Sequence, residues 1–282
     1  MLSALHTIRD YPLDLRDPVF APYPAMKFGD RAAIDHFAAM MAPPALALVA
    51  QSGIRDWVLT SPVLWGLPCG ANLVSRALHE KLRAMLPAGI DLDLEIPRAA
   101  RSRAPLDGED DFERYNEYSK LDLKTRRAIQ ANASPLDAVY DTPAFRGRGV
   151  LFVNDINVTG TQLRTVARGL RPARPAALHW AMIVTVAPAI GCRFPHLESE
   201  INNSKLRTRA AFAEFLRHSD LQCTGKLVAR LLSYGVDDLR DILRGLDGAK
   251  RNQLRQGIID EGVFGGDFFA DKMAVVDEEA SG

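Results

Sequence analysis

One stretch of the chain constrains its fold more than any other, because it joins two apolar segments through a polar turn and a helix. The first segment is VLFVN at residues 150–154, and the second is LHWAMIVTVA at residues 178–187. Unbroken apolar runs of this kind are typical of parallel strands that are buried on both faces of a sheet. Strand–helix–strand crossovers are right-handed, so the sequence predicts an α/β fold with an open parallel sheet.

The N-terminal part, residues 1–50, is predicted to be a wrapping segment followed by one helix. Residues 1–29 are rich in proline and aromatic residues, which indicates an irregular conformation. Asp30 is a good N-cap for the apolar segment that follows it. Pro43 and Pro44 are expected to end that helix, because proline removes a backbone donor and clashes with the preceding turn.

The core is predicted over residues 51–190, and a helical C-terminal extension over residues 191–282. Within the core, the apolar run at residues 57–60 indicates a buried strand, and leucines at helical spacing indicate a helix at residues 73–86. Apolar and acidic residues alternate at residues 90–96, which predicts a strand with one face in water. The extension contains several segments of helical period and no strand pattern.

The turn between the two apolar runs has the chemistry of an anion site. Thr159, Gly160 and Thr161 open the predicted helix, where the first backbone N–H groups have no partner within the helix. Those groups and the positive end of the helix dipole favour a phosphate, and the threonine hydroxyls add donors. Asp155 lies just upstream, where its carboxylate would accept hydrogen bonds from sugar hydroxyls. The spacing therefore predicts a site for a phosphorylated polyol.

Composition excludes several other classes of protein. The formal net charge is zero, with 35 basic and 35 acidic residues, so we do not expect a nucleic-acid partner. No apolar run approaches the roughly 20 residues that cross a bilayer, and no membrane partner is expected. Three widely spaced cysteines without a CxxC pair argue against a disulfide framework or a zinc site, and a reducing cytoplasm is the simplest location.

The segment at residues 150–163 also resembles the ribose-phosphate signature of type I phosphoribosyltransferases. That signature places apolar residues, two acidic residues, three variable residues and Thr-Gly-Thr in order. The resemblance implies that Asp155 holds the ribose hydroxyls and, indirectly, a magnesium ion. Asn154 stands where the family usually has a second acid, and it would hydrogen-bond a hydroxyl without adding charge. The residues implied to bind the 5′-phosphate are Thr159, Gly160, Thr161, Gln162 and Leu163.

Two further stretches are similar to competence-associated (ComF-like) members of the family. Gly70, Ala71 and Asn72 follow the first core strand, and the resemblance implies that they form the loop that contacts pyrophosphate. The charged region at residues 98–133 resembles a mobile hood that closes over the site. Its basic residues on one predicted helical face are Lys120, Lys124 and Arg127. The opening YPAMKFGDRAAIDHFAAMM and the helical tail are also similar to the phosphoribosyltransferase-like proteins of tellurium-resistance and stress operons.

The resemblance implies a Mg²⁺-dependent transferase that moves a phosphoribosyl group from phosphoribosyl diphosphate, or a related sugar phosphate, to a base-like acceptor and releases pyrophosphate. Asp155 and Asn154 would be its catalytic pair. Two alternatives stay open: a non-catalytic sensor of the sugar diphosphate or a nucleotide, and a ComF-like component that works beside DNA-handling machinery. A homodimer is a further expectation.

Overall fold

The structure is a computed structural model that describes residues 1–99, 106, 108–116, 139–140 and 142–282. Its centre is an open sheet of five parallel strands, in the order β1-β5-β4-β2-β3. The strands are β1 (Leu2–Ile8), β2 (Asp56–Thr60), β3 (Asp91–Leu94), β4 (Gly149–Asn157) and β5 (Ala177–Val186). The predicted α/β class with an open parallel sheet is confirmed.

Strand β4 lies at the middle of the sheet and determines where the site forms. It pairs with β2 on one side and with β5 on the other, so that Leu151 aligns with both Leu59 and His179. All of its residues except Asn157 are buried. Because ligands of open parallel sheets bind at the carboxyl ends of the strands, the end of β4 is the natural position for a site.

The prediction that residues 1–29 are irregular is wrong for the first strand. Leu2–Ile8 pairs with β5 in parallel register, with Ala4 opposite Met182. The N-terminal segment therefore contributes a strand to the sheet. As an edge strand, β1 has a neighbour on one side only, which accounts for its weakly apolar sequence LSALHTI.

The first long helix also differs from its prediction. Helix α1 (Tyr23–Lys27) is followed by α2 (Arg31–Ala50), and the Asp30 side chain caps α2 by accepting the Ala33 N–H at 2.8 Å. Pro43 and Pro44 do not end α2, which continues for two more turns. The carbonyls that lose their helical donors belong to Ala39 and Met40, four residues upstream of each proline, and both residues are exposed to water.

Helix α2 also bears on the expectation that no segment could cross a membrane. Among the described residues, Arg31–Ala50 is the one helix that is long and apolar enough to do so, with a mean hydropathy of 1.4 over its best window. Of that window, 44% is buried inside the protein. The helix packs against the sheet and against α3 (Gly70–Met85), and a core helix passes the same composition test.

Helices cover both faces of the sheet. On one face, α2 and α3 enclose a core that contains Trp57, Leu59, Leu151 and Val153. On the other face, α5 (Thr161–Leu170) contributes Val166 and Leu170 to a second core. The alternation of buried side chains along β4 between the two cores explains why its sequence is apolar at nearly every position.

The predicted helical C-terminal extension is confirmed for the described residues, in which no strand follows β5. Its helices are α6 (Pro188–Arg193), α7 (Leu197–Asn203), α8 (Arg209–His218), α9 (Gly225–Leu232), α10 (Val236–Arg244), α11 (Gly248–Glu261) and α12 (Ala270–Ser281). The extension from α8 onward has its own apolar core, and α4 (Glu109–Asn116) joins this core through Phe112. Backbone hydrogen bonds between Gly29 and Gln222 and between Arg31 and Asp220 dock the extension on its own core.

Candidate functional site

The carboxyl end of β4 carries the two residues predicted to be catalytic. Both Asn154 and Asp155 lie inside the strand, which extends three residues beyond the apolar run predicted at residues 150–154. The strand continues to Asn157, so the turn before α5 contains only Val158, Thr159 and Gly160. Asn154 and Asp155 are 4% and 5% exposed, which makes both side chains part of the protein interior.

The turn has the geometry that an anion site needs. Gly160 adopts a left-handed conformation with φ of 70°, which glycine takes without strain, and it is the N-cap of α5. The Asn157 side chain accepts the Gly160 N–H at 2.9 Å and holds the turn closed. Among the described residues, the N–H groups of Gln162 and Leu163 have no hydrogen-bond partner, so they are available to a ligand.

Two hydroxyl groups and one guanidinium group surround the turn. The Thr159 and Thr161 hydroxyls are 2.8 Å apart and share one hydrogen bond. Arg164, one turn into α5, donates to the Thr159 carbonyl and to the Thr161 hydroxyl, at 3.2 Å each. This arrangement places two hydroxyls, the end of a helix dipole and one guanidinium around the same small volume, which is the chemistry that binds a phosphate.

Asn154 has a structural task that the sequence did not reveal. Its Nδ2 donates to the Ile156 carbonyl at 3.0 Å and to Oε1 of Gln162 at 2.8 Å. The second bond ties the end of β4 to the first turn of α5 and fixes the orientation of Gln162. Asn154 therefore holds the two halves of the site together.

Asp155 is paired with a lysine that sequence reasoning missed. Oδ1 of Asp155 accepts the Ile156 N–H at 2.7 Å, and Oδ2 is in direct contact with Nζ of Lys27. The same ammonium lies 3.5 Å from Oε1 of Glu198. Lys27 ends α1 and Glu198 lies in α7, so elements far apart in the sequence meet at the end of β4.

The surroundings of this cluster affect its protonation. Burial alone would lower the pKa of the Lys27 ammonium, but the Asp155 and Glu198 carboxylates raise it above its ordinary value. Burial raises the pKa of the Cys69 thiol, and the Asp155 carboxylate raises it further. Burial likewise raises the pKa of the Tyr23 hydroxyl, which has no hydrogen-bond partner among the described atoms. Lys27 therefore stays charged, while Cys69 and Tyr23 stay neutral.

The residues of the predicted pyrophosphate loop lie at the start of helix α3. Gly70, Ala71 and Asn72 form the first turn of α3, and all three are buried. Asn72 is 1% exposed, and its amide donates to the Ser61 hydroxyl and to the Pro62 carbonyl, while its Oδ1 accepts the Cys69 N–H. These contacts commit the Asn72 side chain to the β2–α3 loop, and the pyrophosphate role of Gly70, Ala71 and Asn72 stays a prediction.

Gly70 is required for packing. A Cβ atom at this position would lie 2.6 Å from Sδ of Met26 and 3.3 Å from Cα of Lys27. The start of α3 therefore approaches α1 closely enough that only glycine fits without a shift. Of the loop as a whole, Pro62 and Cys69 line the cavity at the end of β4.

Two cavities flank the turn. The first, of about 280 Å³, contains Lys27, Asp155 and Glu198 together with the start of α5. The second, of about 560 Å³, lies on the other side of the turn and is lined by Arg164 and Arg168. Thr159, Gly160 and Thr161 line both cavities, so the turn forms the wall between them.

The predicted hood falls largely outside the described residues, and Lys120, Lys124 and Arg127 all do so. Of the part that the structure describes, Leu106 and Phe112 are buried against the C-terminal extension. This packing buries two apolar side chains whose surface would otherwise be exposed to water.

The residues at the end of β4 do not fit a resident magnesium ion. Within the described ranges, no group of three histidine, cysteine or acidic side chains converges to hold a metal. Mg²⁺ prefers oxygen ligands in octahedral geometry, but the Asp155 carboxylate is already neutralised by Lys27. A divalent ion would have to displace the ammonium to reach Asp155.

Comparison with known proteins does not narrow the assignment. No family model matches the chain, and no curated protein matches it.

Proposed function

We propose that the protein binds phosphoribosyl diphosphate, or a closely related sugar phosphate, and transfers the phosphoribosyl group to a base-like acceptor. One observation carries the proposal. The Asp155 carboxylate and the N-terminal turn of α5 line the same cavity of about 280 Å³. A carboxylate suits sugar hydroxyls and a helix N-terminus suits a phosphate, so one sugar phosphate would engage both.

In the proposed reaction, the bond between C1 of the ribose and the diphosphate oxygen breaks, and its electron pair leaves with pyrophosphate. A lone pair on the acceptor nitrogen forms the new bond to C1, and the proton of that nitrogen passes to solvent. Positive charge develops on the sugar ring as the bond breaks. The Asp155 carboxylate, whose charge Lys27 already balances, would position the ring by accepting hydrogen bonds from the ribose hydroxyls. Its burial would help to keep water away from the reacting carbon.

The phosphate end of the sugar would be held by α5. The N–H groups of Gln162 and Leu163 and the hydroxyls of Thr159 and Thr161 would donate to the phosphate oxygens. Asn154 would act through Gln162, whose side chain it orients. Holding the sugar at both ends positions C1 for attack, which lowers the entropic cost of the reaction.

A second candidate is a non-catalytic sensor of the same ligand. It is favoured by Asn154, since an amide that is committed to Ile156 and Gln162 replaces the second acid of the family signature. Either function would be carried out in a reducing compartment, for which we infer the cytoplasm. The three cysteines, all free, support that inference.

The experiment that tests the proposal is incubation with phosphoribosyl diphosphate and a panel of purine and pyrimidine bases, with pyrophosphate release as the readout. The Asp155→Asn variant keeps the volume of the side chain and removes its charge. Base-dependent release by the wild type that is lost in the variant supports the transferase. Saturable binding without release by any base supports the sensor, and no binding at all would refute both.

A further inference from the structure

We propose that Lys27 is the resident cation of this site, and that it binds an anionic oxygen of the ligand in place of a divalent metal ion. The inference rests on the proposed function for the identity of the ligand. The role of Lys27 itself rests on the contacts around its ammonium group, and these are independent of that function.

The charges around Lys27 are arranged as they would be around a bound cation. Its Nζ touches Asp155 and lies 3.5 Å from Glu198, and the two carboxylates come from β4 and α7. The Lys27 side chain is 13% exposed, the Asp155 side chain 7% and the Glu198 side chain 21%. Two carboxylates this poorly hydrated need a positive charge between them, because burying unpaired charges is costly.

Contacts on both sides fix the backbone of Lys27. The Thr224 hydroxyl, at the start of α9, donates to the Lys27 carbonyl at 3.2 Å. On the other side, Gly70 of α3 packs so closely that its Cβ would lie 3.3 Å from Cα of Lys27. The lysine is thus held between α3 and the C-terminal extension. Lys27 is therefore held in a fixed position, unlike a lysine on a mobile part of the surface.

The ammonium still has capacity for a ligand. A lysine ammonium has three N–H donors and no acceptor. In the part of the chain that the structure describes, Asp155 and Glu198 are its two ionic partners, which leaves at least one N–H donor for a further oxygen. Because Lys27 lines the same cavity as Thr161 and Gln162, that donor is available to a sugar phosphate bound at the start of α5.

A charge-replacement test follows from this arrangement. Replacing Lys27 with methionine leaves two partly buried carboxylates facing a cavity, and such a pair is a site for a divalent cation. We therefore expect Mg²⁺ to stabilise Lys27→Met in a concentration-dependent way and to leave the wild type unchanged. The matched control is Lys205→Met, which removes an exposed lysine and should respond to Mg²⁺ as the wild type does.

The ligand arm uses calorimetry with phosphoribosyl diphosphate, in EDTA and in excess Mg²⁺. We expect the wild type to bind with the same affinity in both buffers. Lys27→Met in EDTA should bind roughly 30-fold more weakly or worse, because one partner of a buried charge contact is lost. Mg²⁺ should restore part of that loss. Wild-type binding that disappears in EDTA would overturn the proposal.

The two arms separate the two hypotheses. If the wild type binds no phosphoribosyl diphosphate, the proposed function fails, and the Mg²⁺ response in thermal unfolding alone decides the role of Lys27. An equal response of Lys27→Met and wild type to Mg²⁺ overturns that role. If Lys27→Met does not fold, the comparison of wild-type binding in EDTA and Mg²⁺ still decides it.

Discussion

The buried contact between Asp155 and Lys27 makes a quantitative prediction about stability. Replacing Asp155 with alanine leaves the Lys27 ammonium in a site where its side chain is 13% exposed. Removing one partner of a buried ion pair costs about 3–5 kcal/mol. Glu198 remains 3.5 Å from the ammonium, so we expect the low end of that range, about 3 kcal/mol.

The pH dependence of that loss follows from the pKa of Lys27. In the folded wild type, the carboxylates hold the pKa of Lys27 above its ordinary value of 10.5. The contribution of Lys27 to stability is therefore complete below pH 10.5, and it is lost as the pH rises through the pKa of the folded state. Asp155→Ala removes one of the two carboxylates that raise this pKa, so we expect the folded-state pKa of Lys27 to be lower in the variant than in the wild type. The folded variant then loses this proton at a lower pH than the folded wild type, so the difference in stability between them shrinks as the pH rises.

Urea unfolding followed by tryptophan fluorescence at about pH 7 and about pH 9.5 measures both effects. The destabilisation of Asp155→Ala relative to the wild type should shrink at the higher pH. The double variant Lys27→Met/Asp155→Ala should be more stable than Asp155→Ala, because no unpaired ammonium remains. The prediction is wrong if Asp155→Ala is as stable as the wild type at neutral pH, or if its loss of stability relative to the wild type does not change with pH.

Two further predictions concern the turn and the loop beside it. Gly160→Ala should cost about 1–2 kcal/mol of stability, because alanine is strained in the left-handed conformation, and it should also weaken binding of phosphoribosyl diphosphate. Gly147→Ala is the matched control: its φ of 69° carries the same strain with no neighbour near the new methyl group, so unfolding should show a similar loss and calorimetry unchanged binding. Glu261 is 2% exposed and accepts the Leu67 N–H at 2.6 Å and the Tyr115 hydroxyl. Glu261→Ala should destabilise the protein by about 2–4 kcal/mol and speed hydrogen exchange at Leu67, and an unchanged exchange rate there would show that the extension does not hold this loop.

The sequence predicts the parts of the site that depend on neighbouring residues. Strand β4, the turn at Gly160 and helix α5 are encoded within about twenty residues, and each follows from apolar period, small residues and unpaired helical donors. The anion site at the start of α5 was predicted for this reason. The structure adds the bond between Asn154 and Gln162, which no pattern in the sequence indicates.

Contacts between distant segments could not be predicted in this way. Lys27 and Asp155 are 128 residues apart, and only the folded sheet brings them together. The ComF-like resemblance assigned Asn72 to the pyrophosphate loop, and it did not reveal that the Asn72 amide is used within its own loop. The sequence offers one hint of the role of Lys27, because this lysine lies within an otherwise apolar and aromatic segment. A segment predicted to be irregular has no predicted neighbours, so the hint did not identify the carboxylates that Lys27 contacts.

Helix α2 shows a different limit of sequence reasoning. Proline at residues 43 and 44 usually ends a helix, yet here the freed carbonyls lie on the exposed side and the buried stripe continues to Val49. Burial of an apolar face outweighs the local cost of about 3 kcal/mol that proline imposes on a helix interior. Tertiary packing of this kind is not visible from local propensity.

We propose that the end of β4 and the start of α5 together hold a sugar phosphate. Amide NMR of the 31.0 kDa chain during titration with phosphoribosyl diphosphate tests it most directly. We predict that the N–H signals of Gln162 and Leu163 shift saturably and in step, and that Asp155→Asn weakens the response while Lys205→Met does not. Saturable shifts that are confined to other parts of the chain, or no shift at either amide, would contradict the account.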